Sequence, residues 1–184
     1  MANVWRVRLQ SGKDGVDHAS ARKFVIETGV VGAGWGLDDA EPSLQLPDRT
    51  TDYGLYLRRA KECFGRLGDT DKLERAANIF GVEMQQNDYC WAYVSHVGEY
   101  WCGRVAGEFE YRAGGDFDRY DVHMTRRCRW ALVGTADAAP GVIRRAFAGP
   151  FGTVTRLVTA TDVAIEAAEI ALGTRAPSKN RRFL

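Results

Sequence analysis

Two residue types in this chain are placed to do chemistry: aromatic rings and arginines. Residues 88–111, DYCWAYVSHVGEYWCGRVAGEFEY, hold two of the five Trp, four of the seven Tyr and two of the four Cys. Trp35 sits apart from them, in the glycine-rich run VVGAGWG. Trp35, Trp91, Tyr93, Trp101 and Tyr111 offer π faces, and a nucleic-acid base stacked on such a ring gains about 1–3 kcal/mol. A base flipped into an apolar slot is read by stacking and by a few hydrogen bonds to its edge. Gly34, with no side chain, lets a flat ligand or a second backbone come close beside Trp35. Arg104, Arg126, Arg127 and Arg129 could hold phosphates, with Arg144, Arg145 and Arg156 as further cations. Ordinary alternatives stand beside these readings. Aromatics enrich in strands because they pack well there, and each arginine also fits a solvated strand face.

Catalytic signatures are weak. The chain has no GxSxG, no HExxH and no Ser/His/Asp set at supporting local spacing. His18, His96 and His123 each read as surface residues. Asp116, Asp118 and Asp121 crowd one polar loop but lack the order of a calcium-binding loop. They keep open an enzyme acting on a small molecule or nucleotide. Gly32, Gly34 and Gly36 do not make a phosphate loop, because the acidic, proline-bearing run that follows does not open a helix.

Cys63, Cys90, Cys102 and Cys128 are widely spaced, with no CxxC. Neither a zinc site nor a disulfide framework is expected, and the thiols read as reduced and mostly buried in a cytoplasmic protein. No metal and no cofactor is expected. The start is too polar for a secretory signal, and no apolar run reaches the about 18 residues of a membrane span. The formal net charge is +1. Affinity for nucleic acid would therefore rest on a local cationic face, offset by acidic segments such as 38–41 and 116–121.

A length of 184 residues is enough to bury a core without staples. It predicts a single domain over residues 1–173 and a basic, flexible tail over 174–184. Residues 4–9 alternate as a half-buried strand with a cationic face. Asp17 caps a helix over 18–28, and Gly29 stops it. Residues 30–36 run as a strand into Trp35, and 38–51 form a loop. Two helices follow, over 53–64 and 71–80, as a helical insertion at about 52–81. An aromatic hairpin spans 88–111, with separate strands at 100–105 and 108–111. A long strand covers 122–133, Pro140 starts a short helix to 147, a strand covers 153–158, and a last helix runs from 162 to about 172.

This order of elements resembles the PUA superfamily, in particular its EVE and YTH branches. The resemblance covers roughly residues 3–160. Residues 29–35 are similar to the YTH helix-then-strand place that reads Gly-Val-Trp, here with an inserted Gly-Ala-Gly. Residues 101–108 echo its aromatic-Cys-Gly strand. Asn87-Asp88-Tyr89-Cys90-Trp91 is similar to the Gly-Asp turn and aromatic strand of EVE domains. The fold this implies is α/β (α+β): a PUA-like, strongly bent or closed β-barrel surrounded by helices.

The resemblance implies a non-catalytic reader of modified bases, such as N6-methyladenine or modified cytosine, held in an aromatic cage. Trp35 matches the first cage Trp, Trp91 or Tyr93 would supply a second wall, and Trp101 occupies the aromatic of the Cys-Gly strand. Modified DNA is the favoured partner, with a fused or associated nuclease of modification-dependent restriction as a possible neighbour. Three alternatives stay open: an RNA-binding module of the same fold, the small-molecule or nucleotide enzyme, and a protein-interaction module.

Overall fold

The computed structural model describes residues 2–9, 13–37, 40–65, 70–149, 154–159 and 161–176. Its elements run β1 (Val4–Val7), α1 (His18–Thr28), β2 (Val30–Ala33), β3 (Arg49–Thr50), α2 (Tyr53–Gly65), α3 (Thr70–Asn78), a π-helical turn (Ile79–Glu83), β4 (Tyr89–Val94), β5 (Glu99–Arg112), α4 (Asp116–Tyr120), β6 (Met124–Gly134), α5 (Gly141–Ala148), β7 (Val154–Leu157) and α6 (Thr161–Ala171). The fold is mixed α/β. Its strands pair in the order β2-β6-β5-β4-β1-β7, with β3 added on β5. Among the described residues this pairing is open, and the expected closure into a barrel is not seen.

Local chemistry accounts for several boundaries. Asp17 accepts from the Ala19 amide at 3.0 Å, a donor that the first turn of α1 leaves open, and its other oxygen accepts from the Ser20 hydroxyl at 2.6 Å. Gly29 ends the helix in the left-handed region at φ 68°, and its N–H reaches back to the Ile26 carbonyl. Asp52 caps α2 by accepting from the Leu55 amide at 2.8 Å. Other boundaries differ from the sequence reading. The strands expected at 100–105 and 108–111 are one strand, β5. The polar segment after Gly115 coils into α4, where Asp118 accepts from the Gly114 amide at 2.9 Å.

The chain divides into two compact units. One comprises Met1–Arg8, Gln85–Ala106 and Cys128–Leu184, and the other Leu9–Met84 and Gly107–Arg127. In the first, β1 lies parallel to β4 and antiparallel to β7, while β4 and β5 form the hairpin. Val4, Tyr89, Trp91, Tyr100 and Cys102 form one buried cluster with Ile143 of α5 and Ala164, Ala167 and Ala168 of α6. Asp88 ties this unit's start to the hairpin. Its carboxylate accepts from the Asn3 amide at 2.7 Å, Trp5 Nε1 at 2.8 Å and the Gln85 amide at 3.0 Å. Arg175 pairs with Glu166 and Glu169, so the expected flexible tail is anchored at its start. Residues 177–184 of that tail lie outside the described residues.

In the second unit, β2 pairs antiparallel with β6 and β3 with β5. The expected helical pair is present as α2 and α3, whose buried positions are Tyr56, Ala60, Leu73 and Ala77. The second helix does not run on as an α-helix to Phe80. It widens into the π-helical turn, where the Met84 amide bonds to the Ile79 carbonyl at 2.8 Å.

Candidate functional site

The glycine-rich run after β2 carries the most unusual backbone in the second unit. Trp35 stands at φ 72°, in the left-handed region. Asn87 and Asp121 also have positive φ, but their short polar side chains enter that region readily and a bulky ring does not. Gly34 and Gly36 flank Trp35 and would adopt such a φ freely, yet the strain falls on the ring-bearing residue.

Three contacts hold this conformation. The Tyr56 hydroxyl donates to the Trp35 carbonyl at 3.1 Å. The Leu37 amide donates to the Tyr111 hydroxyl at 3.0 Å. The Asp121 carboxylate sits against the Gly34 backbone so tightly that a Cβ at Gly34 would run into it. Tyr56 and Tyr111 are both buried and stack at 5.2 Å. Burial pushes the Tyr56 phenol well above the ordinary tyrosine range, with Tyr111 and Asp121 adding to the effect, so it stays a donor. The Trp35 ring meets Phe64 edge-on at 5.1 Å, and the residue is half-buried.

His123 overturns one expectation. It is not a surface residue; it is fully buried, whereas His18 and His96 are exposed. Its ring stacks on Tyr111 at 6.0 Å, and its Nδ1 lies 2.9 Å from the Arg112 carbonyl. A carbonyl only accepts, so Nδ1 carries the proton in this bond. Asp118 and Asp121 each place a carboxylate oxygen 3.8 Å from the ring. Of these two carboxylates, Asp121 at the end of α4 also packs against the Trp35 turn at Gly34. A cavity of about 10 Å³ lies among Val25, Gly32, Ala33 and Asp121. That is room for one water, far too little for a base.

The arginines separate by burial. Arg126 is buried, and its guanidinium donates to the Phe80 carbonyl at 2.6 Å, the Gly107 carbonyl at 3.1 Å and the Gly81 carbonyl at 3.4 Å. It satisfies carbonyls of the irregular π-helical turn rather than facing a phosphate. Arg127 is open, with its side chain 64% exposed, and lies 3.7 Å from Glu110. Arg49 and Arg112 meet the same carboxylate at 2.8 and 3.4 Å. In the first unit, Arg129 is exposed and donates to the Leu172 carbonyl at the end of α6 at 3.0 Å. Arg104 lies 6.0 Å over the Tyr89 ring.

No protein-family model, curated protein or solved structure matches the chain. The residues themselves carry the reading.

Of the hairpin aromatics, Tyr89, Trp91, Tyr93, Tyr100 and Trp101 belong to the first unit, whereas Phe109 and Tyr111 belong, with Trp35, to the second. Cross-strand partners share a face of a sheet. Register pairs Trp91 with Cys102 and Tyr93 with Tyr100, but Trp101 with Ala92. Trp91 and Tyr93 therefore point to one face and Trp101 to the other. Trp91 is fully buried in the cluster beneath α5 and α6 and presents no open ring face. Tyr93 is 36% exposed and packs on Tyr100 at 4.7 Å. Trp101 is half-exposed, and its Nε1 donates to Glu99 at 3.2 Å. The sequence reading missed Arg49, Glu110 and Arg112 as a group. Arg49 lies in a two-residue strand inside a segment that reads as loop, so no periodicity marks it.

Proposed function

We propose that the chain is a PUA-like module of the EVE and YTH kind. In this reading it is a cytoplasmic protein that binds nucleic acid, with modified DNA favoured, by stacking a flipped and methylated base on Trp35. It binds without catalysis, as the recognition part of a modification-dependent defence system. The observation that carries this reading is the half-buried Trp35, its backbone held at φ 72° by Tyr56, Tyr111 and Asp121. Backbone strain of this kind costs about 1–3 kcal/mol and persists where the surroundings over-determine it, commonly at ligand clamps. The roles of the other residues follow from their burial. Trp91 belongs to the core, Asp121 and His123 position the turn, and Arg126 braces the fold.

The test is a binding panel of methylated and unmethylated duplex and single-stranded DNA, with matched RNA, at two salt concentrations. Tighter binding of a methylated duplex, with a methylated-to-unmethylated ratio that Trp35→Ala reduces to one, is the expected result. An unchanged ratio in Trp35→Ala removes Trp35 from recognition. Preference for the matched RNA selects the RNA-binding module, because only the 2′-OH separates the two backbones.

A further inference from the structure

We infer that Arg49, Arg112 and Arg127 form a clamp for one backbone phosphodiester of a nucleic acid. The inference rests on the function proposed above and gives it a phosphate contact.

Three strands bring the cluster together: Arg49 from β3, Glu110 and Arg112 from β5, and Arg127 from β6. Arg49 and Arg112 are direct cross-strand partners. Like charges placed opposite one another are destabilising on their own, and here a third cation joins them. All three guanidiniums turn to Glu110, at 2.8, 3.4 and 3.7 Å. Among the described residues no other carboxylate pairs with any of them, so three positive charges meet one negative charge. Glu110 is only 9% exposed, while the three arginine side chains are 53%, 30% and 64% exposed. The carboxylate is thus the floor of the cluster and the guanidiniums are its rim. Arg112 is held further by its guanidinium lying 4.5 Å over the Phe117 ring.

Each guanidinium carries five N–H donors in a planar fork. Glu110 engages one nitrogen of each, leaving forks that match the oxygens of a phosphate. A phosphodiester carries one negative charge, and so lowers the surplus without reversing it. The excess is local: the chain as a whole has net charge +1.

The experiment measures binding of the intact chain to an unmethylated and a methylated DNA duplex across a salt series. The variants are Arg127→Gln, the triple change Arg49→Gln/Arg112→Gln/Arg127→Gln, and Glu110→Gln. Circular dichroism checks that each one folds. The triple variant is expected to bind both duplexes on the order of tenfold more weakly at low salt and to lower the salt slope by about 1, leaving the methylated-to-unmethylated ratio unchanged. Arg127→Gln moves in the same direction by less. Glu110→Gln removes the competing anion and is expected to tighten binding and steepen the slope. If wild type binds DNA and both arginine variants keep its affinity and slope, the clamp is overturned while the base-reading function stands. If wild type binds neither duplex at low salt, the function and the clamp fall together.

Discussion

At the scale of single residues, Trp35 and Gly34 are the positions where side-chain chemistry and backbone geometry meet. Trp35→Ala keeps a Cβ in the left-handed region, whereas Trp35→Gly removes it. Trp35→Gly is therefore expected to be more stable than Trp35→Ala by about 1 kcal/mol in denaturant titration. Both variants are expected to lose discrimination alike. Equal stabilities would show that the turn is unstrained. Gly34→Ala drives a methyl into the Asp121 carboxylate. A loss of about 1–3 kcal/mol follows from such overpacking, and Asp121→Ala in the same chain should return part of it. Additive effects in that double-mutant cycle would separate the two residues.

The thiols are a second residue-scale matter. Cys90, Cys102 and Cys128 are buried, and Cys63 on α2 is half-buried. Burial pushes the Cys102 thiol up to about 12 and the Cys128 thiol well above its ordinary range. A raised pKa keeps the reactive thiolate scarce until the pH approaches the raised value, so neutral or mildly alkaline solution leaves both in the unreactive thiol form. Labelling of the native protein with a thiol reagent at pH ~8 should therefore modify Cys63 first, with the other three reacting only on unfolding. Fast labelling of all four without denaturant would contradict the buried placement.

At the scale of elements, the π-helical turn depends on one side chain. Arg126 supplies donors to two of its carbonyls and to the Gly107 carbonyl on β5. Arg126→Ala leaves these acceptors without their donor and is expected to destabilise by about 3 kcal/mol or more. Amide exchange should accelerate first over Ile79–Glu83. The salt slope of DNA binding measured on the remaining folded protein should not move. A lowered slope with unchanged stability would instead return Arg126 to the phosphate contacts. The hairpin element behaves differently. Its aromatics divide between two faces, and only Tyr93 and Trp101 retain open surface.

At the scale of the whole molecule, the two units are not successive pieces of chain. Both β5 and β6 contribute residues to each unit, with breaks between Ala106 and Gly107 and between Arg127 and Cys128. Neither unit can be excised as one continuous segment. Unfolding is therefore expected to be a single cooperative transition. Tryptophan fluorescence and far-ultraviolet circular dichroism should give coincident midpoints in urea. Two separated midpoints would mean that the units melt independently. None of the described helices is long and apolar enough to cross a membrane.

What could be read from the chain alone was local. Asp17 and Gly29 frame α1 because a capping carboxylate and a left-handed glycine act through contacts within a few residues. The hairpin of β4 and β5 and the helices α2, α3, α5 and α6 follow from the same short-range periodicity. Trp35 was legible as a candidate because glycines surround it. Its left-handed conformation was not, since Tyr56, Tyr111 and Asp121 reach it from distant parts of the chain. Burial also divided residues that look alike in sequence. Arg126 and Arg127 are neighbours, yet one is enclosed by carbonyls and the other stands at an open rim. His123 reads as a surface strand residue until Tyr111 stacks on it. The cluster on Glu110 joins residues 49, 110, 112 and 127 across three strands. Strand pairing between remote segments decides such a cluster, because register places those charges side by side and no local pattern encodes it.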